Sequence, residues 1–269
     1  MMNEAAVASL ANEAWARRRR RARLLAERYA FAAEFLRLYE ALLDVQEPAF
    51  MTARDDRPDP ARLAAYAADR VMSGIIDATL KAGPAALGAA ARERVRDGDP
   101  AGFDAKWLAG EAQAPVDQYL GRAAAAPVLE ALGAAAGEAC SGGPAERGCP
   151  RCGGLPQLSY LADAGETLVS GPRMLLCCRC GESWVHQRMT CPGCGEQATS
   201  KLPIFADAER FPHLRADACE SCRTYVITID LRKDTAAVPI VDELVALPLD
   251  LYVKERGYSK IVPNLMAIG

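Results

Sequence analysis

The chain has 269 residues, of which 51% are hydrophobic and 25% are charged, as in ordinary globular proteins. Its net charge of −3 provides no general basic field to hold nucleic acid or an anionic membrane, and no run approaches the roughly 18 apolar residues of a membrane helix. Because the first residues also lack the pattern of a secretory signal, we expect a cytoplasmic protein without membrane insertion.

The first half of the sequence is typical of α-helices. Residues 3–46 contain neither Pro nor Gly, and their apolar side chains recur at spacings of three, four and seven, which predicts one helix followed by Pro48. A second helix is predicted over 62–81, and short Ala-rich helices over 84–96, 103–110, 116–125 and 127–138. The predicted core residues of the first two helices are Leu24, Phe31, Phe35, Leu38, Leu42, Val45, Leu63, Tyr66, Val71, Ile75 and Ile76.

The composition changes after a Ser-Gly-Gly-Pro linker at 141–144. Alternating segments at 182–188 and 223–231 predict strands, and residues 240–256 predict a helix that Pro248 divides or kinks and Gly257 ends. We therefore expect an α+β protein with an N-terminal all-α domain, tandem rubredoxin-like or zinc-ribbon-like small β modules and a short C-terminal helical segment. The expected domains are 1–140 (helical), 147–188 (first module), 189–232 (second module) and 238–269 (C-terminal segment).

Eight of the ten cysteines form a repeat with a period of 42 residues. Each copy has two Cys-x-x-Cys pairs with 24 residues between them, which indicates a duplicated module. The spacing predicts two metal sites, one formed by Cys149, Cys152, Cys177 and Cys180 and the other by Cys191, Cys194, Cys219 and Cys222.

Each pair can form a tight turn, here called a knuckle, that directs two sulfurs toward one ion. Gly153, Gly181 and Gly195 follow three of the pairs and can adopt the positive φ that such a turn needs. Arg223 follows the fourth pair, so we expect that knuckle to be less regular. A four-sulfur site suits structural zinc or redox-active iron better than thiol–disulfide chemistry, and it has no open position for hydrolysis.

The remaining reactive side chains have simpler explanations. Cys178 is expected to be a small knuckle residue and Cys140 an inert thiol. The two histidines are superfluous as ligands, and His213 is expected in a loop or at the surface.

The arginines at 17–21 and 23 are interpreted as a solvated helix face rather than a nucleic-acid site. Phosphate-binding, dinucleotide-binding and hydrolase motifs are absent, so we do not expect an enzyme.

The segments 148–153, 173–180, 191–194 and 218–222, and more weakly the positions 23–24, 34–36 and 46, follow the motifs of a known family. Over most of the chain this is a resemblance to the FdhE family of formate dehydrogenase accessory proteins. It continues through single positions in and after the knuckles: Trp184, Arg188, Tyr225, Pro239, Asp242, Glu243, Leu244, Leu249, Asp250, Leu251, Glu255, Gly257, Tyr258 and Asn264.

The resemblance implies a cytoplasmic accessory protein that binds the catalytic subunit of respiratory formate dehydrogenase and supports formation of the active enzyme. It favours two mononuclear, rubredoxin-like iron ions, with two Zn²⁺ as the alternative. Arg173, Trp184 and Arg188 flank the ligands and are candidates either for binding the partner or for supporting the ligands. A homodimer is possible, no nucleic acid is expected, and the alternative function is a zinc-ribbon nucleic-acid-binding or general protein-interaction module.

Overall fold

A computed structural model describes residues 4–141, 147–163 and 171–266, so the predicted linker lies mostly outside the described residues. The helical half ends at Ala139, and no helix in the described ranges is long and apolar enough to cross a membrane. Its elements are α1 (Glu4–Arg28), α2 (Ala33–Asp56), α3 (Leu63–Arg70), α4 (Met72–Ala82), α5 (Ala85–Asp97), α6 (Pro100–Ala109), α7 (Pro115–Leu132) and α8 (Ala136–Ala139).

The prediction of one helix over 3–46 was wrong in two respects, its continuity and its C-terminal limit. A short 3₁₀ turn at Ala30–Ala32 separates α1 from α2, and α2 then continues through Pro48. Leu43 and Phe50, on either side of this proline, are both buried. Their packing offsets the roughly 3 kcal/mol that a proline costs inside a helix. Helix α7 likewise runs through Pro127, where two separate helices were predicted.

The break between α1 and α2 also changes which side chains form the core. Leu38 and Leu42 are buried as predicted, but Leu24 is 49% exposed and Phe31 is 38% exposed. Leu25 and Leu36, one residue from two predicted core positions, are fully buried instead. Because the turn separates two helices, residues before and after it do not lie on one helical face, and the predicted core positions next to the turn were wrong.

The second half forms one mixed sheet with the strand order β3-β2-β1-β6-β5-β4, and β7 also pairs with β6. The α+β class is therefore confirmed. The strands are β1 (Pro156–Leu161), β2 (Arg173–Cys177), β3 (Ser183–His186), β4 (Ile204–Phe205), β5 (Leu214–Ala218), β6 (Thr224–Asp230) and β7 (Ser259–Lys260).

The two cysteine modules are joined edge to edge within this sheet. Strands β3, β2 and β1 are antiparallel neighbours in the first module, as β6, β5 and β4 are in the second. The junction is a parallel pairing of β1 with β6, in which Leu158 lies opposite Ile227 and Leu161 opposite Asp230. Each module therefore covers an edge that the other would leave open.

The C-terminal segment returns to the sheet. It contains α9 (Pro239–Asp242), a 3₁₀ turn and α10 (Leu247–Glu255), with Pro248 in the first turn of α10. The predicted division at this proline is confirmed, and Gly257 follows with a φ of 78°. Strand β7 then places Lys260 2.8 Å from Glu243 and 3.2 Å from Asp250, where all three side chains are buried.

The arginine run contributes to the contact between the two halves, so its interpretation as a solvated face was wrong for Arg21, although Arg17, Arg20 and Arg23 are exposed. Arg21 is buried, and its Nε lies 2.9 Å from Oδ2 of Asp242. His213 was expected in a loop or at the surface; it lies in the turn before β5, but not at the surface, since its buried ring lies 2.8 Å from Oδ1 of the same carboxylate. Neighbouring arginines form the ion pairs Arg18–Glu130, Arg19–Glu47, Arg20–Glu13 and Arg23–Glu40.

Candidate metal centres

All four knuckles have the same backbone hydrogen bond. In each, the amide of the first cysteine donates to the carbonyl five residues later, which closes the turn around the second cysteine. The bonds and their lengths are Cys149 to Gly154 (2.8 Å), Cys177 to Glu182 (2.9 Å), Cys191 to Glu196 (2.8 Å) and Cys219 to Thr224 (2.9 Å).

The residue after each pair has a positive φ, including the fourth, where glycine is missing. The angles are 69° at Gly153, 68° at Gly181, 80° at Gly195 and 57° at Arg223. The amide of Arg223 donates to the carbonyl of Cys219 at 2.9 Å, just as Gly153 donates to Cys149 at 2.8 Å. The expected irregularity of the fourth knuckle was therefore wrong.

Contacts of its side chain explain how Arg223 tolerates this backbone. Its guanidinium lies 2.7 Å from Glu220 and 3.9 Å from the ring centroid of Tyr258, and it donates to the carbonyl of Arg256 at 2.6 Å. A non-glycine residue in the left-handed region costs on the order of 1 kcal/mol, which contacts of this kind can offset.

The knuckles bring the predicted cysteines together in two groups. Site 1 consists of Cys149, Cys152, Cys177 and Cys180, and site 2 consists of Cys191, Cys194, Cys219 and Cys222. Within each site the four sulfurs all lie within 4.8 Å of one another.

Two sulfur–sulfur distances in each site match a tetrahedral ion site. They are 3.4 and 3.6 Å in site 1, and 3.6 and 3.7 Å in site 2. Four bonds of about 2.3 Å to a central ion would place the sulfurs roughly 3.8 Å apart. Both sites therefore have the donors and the dimensions for one zinc or iron ion each.

Hydrogen-bond donors point at the sulfurs. The amides of Arg151 and Arg179 lie 3.4 and 3.3 Å from the sulfurs of Cys149 and Cys177, and the hydroxyl of Thr224 lies 3.0 Å from that of Cys222. Four thiolates around a divalent ion carry a net charge of −2, which such donors stabilise.

The two sites differ in exposure. All four cysteines of site 1 are buried, whereas Cys194 and Cys222 of site 2 are only partly buried. Site 1 lies between the sheet and the helical half, and the carbonyl of Ser141, just beyond α8, accepts a hydrogen bond from Arg179 of its second knuckle. Site 2 is consequently the more accessible to solvent, chelators or a partner protein.

Close packing requires a glycine next to site 1. A Cβ at Gly154 would lie 2.7 Å from the sulfur of Cys177, which is closer than a Cβ approaches another atom in real proteins. The nearest sulfurs to a Cβ at Gly193, beside site 2, would be 3.6 Å away, with the hydroxyl of Thr224 at 2.9 Å.

The three candidate residues beside the ligands have different positions. Arg173 is buried, and it donates to the carbonyl of Thr190 at 3.1 Å and to Asp217 at 3.0 Å. Burial lowers the pKa of Arg173. Trp184 is half-buried on β3, and the exposed Arg188 donates to the carbonyl of Gly171. Only the last two are placed where a partner could reach them.

The two remaining cysteines lie near site 1. Cys178 is buried inside the second knuckle, as expected for a small packing residue. Cys140 is partly buried, and its interaction with Cys152, together with burial, raises the pKa of its thiol.

A third group of potential ligands has a different role. His213, Asp234 and Asp242 place one donor atom each within 4.8 Å of one another. The guanidinium of Arg21 occupies this position, with its Nη2 2.6 Å from Asp234 and its Nε 2.9 Å from Asp242. The cluster is therefore a buried ion-pair network, and no local pattern in the sequence indicates it, because Arg21 lies more than two hundred positions from both carboxylates.

Known proteins resemble this chain over different lengths. Residues 189–267 match the family model described as "FdhE, C-terminal domain". A protein from Aquifex aeolicus described as "Protein FdhE homolog" is 34% identical over 118 residues, which cover 44% of this chain and 41% of that protein. One from Pseudomonas putida with the same description is 31% identical over 121 residues, covering 44% and 37%. The aligned segments thus span about two fifths of these relatives.

The structural similarity extends over nearly the whole molecule. The crystal structure of the FdhE protein from Pseudomonas aeruginosa matches with a TM-score of 0.66 and 26% identity, covering 94% of each chain. The match therefore includes the helical half as well as the sheet with its paired four-cysteine sites. Taken together with the family model and the curated relatives, it shows that the chain is similar to FdhE proteins in fold over nearly its whole length and in sequence over its C-terminal part.

Proposed function

We propose that the protein is a cytoplasmic, non-enzymatic accessory factor that binds the catalytic subunit of respiratory formate dehydrogenase and supports formation of the active enzyme. The observation that carries this proposal is the combination of FdhE relatives with two complete four-cysteine sites in one sheet. Because both sites are closed by four protein ligands, they fit a binding or electron-transfer role better than hydrolysis.

We further propose that each site holds one iron ion, with zinc as the alternative. The eight cysteines of sites 1 and 2 would be the ligands. Iron held by four thiolates supplies one-electron chemistry, whereas zinc would only stabilise the fold. Loss of the ion from a site, whether iron or zinc, would remove the bonds that hold its two knuckles together.

The surface beside site 2 is the proposed contact for the catalytic subunit. It combines the exposed Arg188 with two exposed apolar side chains, Met189 (50%) and Ile204 (52%). These three residues line one groove of roughly 200 Å³ that also reaches Cys191. A charged group beside apolar side chains is common at protein interfaces. Trp184 lies on the nearby strand β3 and remains a candidate for the same contact.

The arginine run does not favour the alternative nucleic-acid function. Arg18, Arg19, Arg21 and Arg23 all pair with carboxylates, so the run presents little free positive charge. A possible homodimer and the division into four domains remain predictions.

Co-purification tests the proposal. The full chain, prepared anaerobically, should retain the formate dehydrogenase catalytic subunit and contain iron in the same sample. The variant Arg188→Gln should keep its metal but retain several-fold less of the subunit. The matched control is Arg62→Gln, which removes an exposed arginine in the helical half.

The outcomes distinguish the proposed contact surface from the proposed accessory function. If Arg188→Gln loses metal together with the subunit, the residue supports the fold and the contact surface is refuted. If no catalytic subunit is retained by the metal-loaded chain, the accessory function itself is contradicted.

A further inference from the structure

A cleft of roughly 440 Å³ lies between the helical half and site 1. Its wall includes Trp15 of α1, Tyr39 of α2 and Tyr160 of β1, together with the knuckle that follows β2. The volume is within the range of small-molecule sites, which is typically a few hundred to 1,000 Å³. Aromatic walls of this kind suit a flat organic group.

The cleft is also rich in positive charge. Five arginines line it, but Glu130 is its only acidic lining residue in the described part of the chain. The lining arginines are Arg17, Arg18, Arg122, Arg151 and Arg179.

Two of these arginines are already paired. Arg18 binds both oxygens of Glu130, at 2.9 and 3.1 Å, and Arg151 forms an ion pair with Glu182.

The other three have no carboxylate partner in the described ranges. Arg122 is buried and donates to the carbonyl of Pro263 at 2.8 Å and to the side chain of Gln157. Arg179 is buried and donates to the carbonyl of Ser141 at 3.2 Å. Arg17 is exposed.

Site 1 accounts for only part of this charge. With a divalent ion bound, its thiolates carry −2, which can balance the two buried arginines beside it. The positive charge of Arg17 is then left over, and Arg18 stays at the same wall with its guanidinium 4.4 Å from the ring centroid of Trp15. With an ion bound at site 1, the cleft therefore still attracts an anion.

One buried donor beside the cleft is unused. The indole Nε1 of Trp15 has no hydrogen-bond partner among the described residues, and Trp15 is only 1% exposed. A buried N–H without an acceptor costs about 1–3 kcal/mol.

We propose that this cleft binds a small phosphorylated ligand of about the size of a mononucleotide, with its phosphate at Arg17 and Arg18 and its flat group against the partly exposed Tyr160. Arginine suits phosphate because its planar guanidinium can donate two parallel hydrogen bonds. The inference goes beyond the proposed function and does not depend on it.

Calorimetric titration of the full, metal-loaded chain tests this site. The probes are the four ribonucleoside monophosphates in turn, the corresponding nucleosides and inorganic phosphate. At least one monophosphate should bind, inorganic phosphate should bind more weakly, and the nucleosides should not bind measurably. The affinity should fall as salt rises, because the contact is ionic.

Three variants assign the binding to the cleft. Arg17→Gln should weaken binding by about tenfold, as expected for loss of one charge-assisted contact. Arg20→Gln, which changes the same charge on the same helix but does not line the cleft, should leave the affinity unchanged. Tyr160→Leu removes the partly exposed aromatic ring of the cleft and should weaken binding several-fold.

Several results would overturn the proposal. The site does not exist if every probe binds more weakly than about 1 mM. Equal affinities for nucleosides and monophosphates would remove the role of the phosphate, and equal affinities for phosphate and monophosphates would remove the role of the flat group. Equal effects of Arg17→Gln and Arg20→Gln would place the binding elsewhere.

Discussion

Asp104, on α6, is fully buried, and neither of its carboxylate oxygens has a hydrogen-bond partner in the described structure. Burial raises the pKa of this carboxyl from its ordinary 3.8 to about 9. The folded protein therefore binds the proton more tightly than the unfolded chain does. The associated stability is fully present below the unfolded pKa and is lost as the pH rises toward the folded one.

The size of the effect follows from the shift. Each pH unit between the two pKa values changes the free energy of unfolding by about 1.4 kcal/mol. Raising the pH from about 5 to about 8 should thus remove on the order of 4 kcal/mol through this single group. The variant Asp104→Asn has nearly the same volume but does not titrate. We expect it to be more stable than the natural protein near pH 8 and to lose that advantage toward pH 5.

Urea unfolding at several pH values would measure the difference between the two proteins. Titration of the cysteine sites affects both alike, so it cancels in the comparison. Asp77→Asn, at an exposed position on α4, is the control and should follow the natural protein at every pH. Parallel pH profiles for the natural protein and Asp104→Asn would refute the reasoning, because they would show that Asp104 is ionised without cost.

Three further predictions concern the sites and the contact between the halves. A chelator should remove metal from site 2 faster than from site 1, since only site 2 has partly exposed cysteines; metal release followed with a colorimetric indicator should show two phases, and a single phase would contradict this. Gly154→Ala should abolish metal binding at site 1, whereas Gly193→Ala should have a smaller effect at site 2, as metal analysis of each variant would show; equal metal contents would contradict it. Arg21→Met should destabilise the protein by about 3–5 kcal/mol because it leaves the buried Asp242 without its cation. Thermal unfolding would detect the loss, and an unchanged midpoint would show that His213 alone compensates Asp242.

Local rules were sufficient to predict the cysteine groups. A Cys-x-x-Cys pair determines its own turn within a few residues, and the 42-residue period identified which pairs belong together. The left-handed residues after the pairs were predicted where they are glycines. Arg223 was missed because its anchors, Tyr258 and the carbonyl of Arg256, are more than thirty residues away in the chain.

Longer-range packing was not accessible from the sequence. The parallel pairing of β1 with β6 joins residues about seventy positions apart, and no local pattern selects that partner. For the same reason Arg21 was assigned to a solvated face, although it is buried and paired with Asp242. The prolines inside α2 and α7 show tertiary packing overriding a local breaker.

The resemblance to the FdhE family was the part of the sequence analysis that the comparisons support most directly. It identified the family from residues in and after the knuckles. The identity of the metal stays a prediction, because a four-sulfur site of these dimensions accepts iron and zinc alike. The surface that contacts the partner also stays a prediction.

The most direct test of the account is metal analysis and visible absorption of the chain when it is co-purified anaerobically with the formate dehydrogenase catalytic subunit. We predict a retained subunit, two iron ions per chain for the two sites, and ferric–thiolate absorption that appears on oxidation. Variants that replace one cysteine in each site by serine should lose both the metal and the subunit. A metal-loaded chain that retains no catalytic subunit would contradict the central claim, and a retained subunit with zinc alone would refute the iron sites.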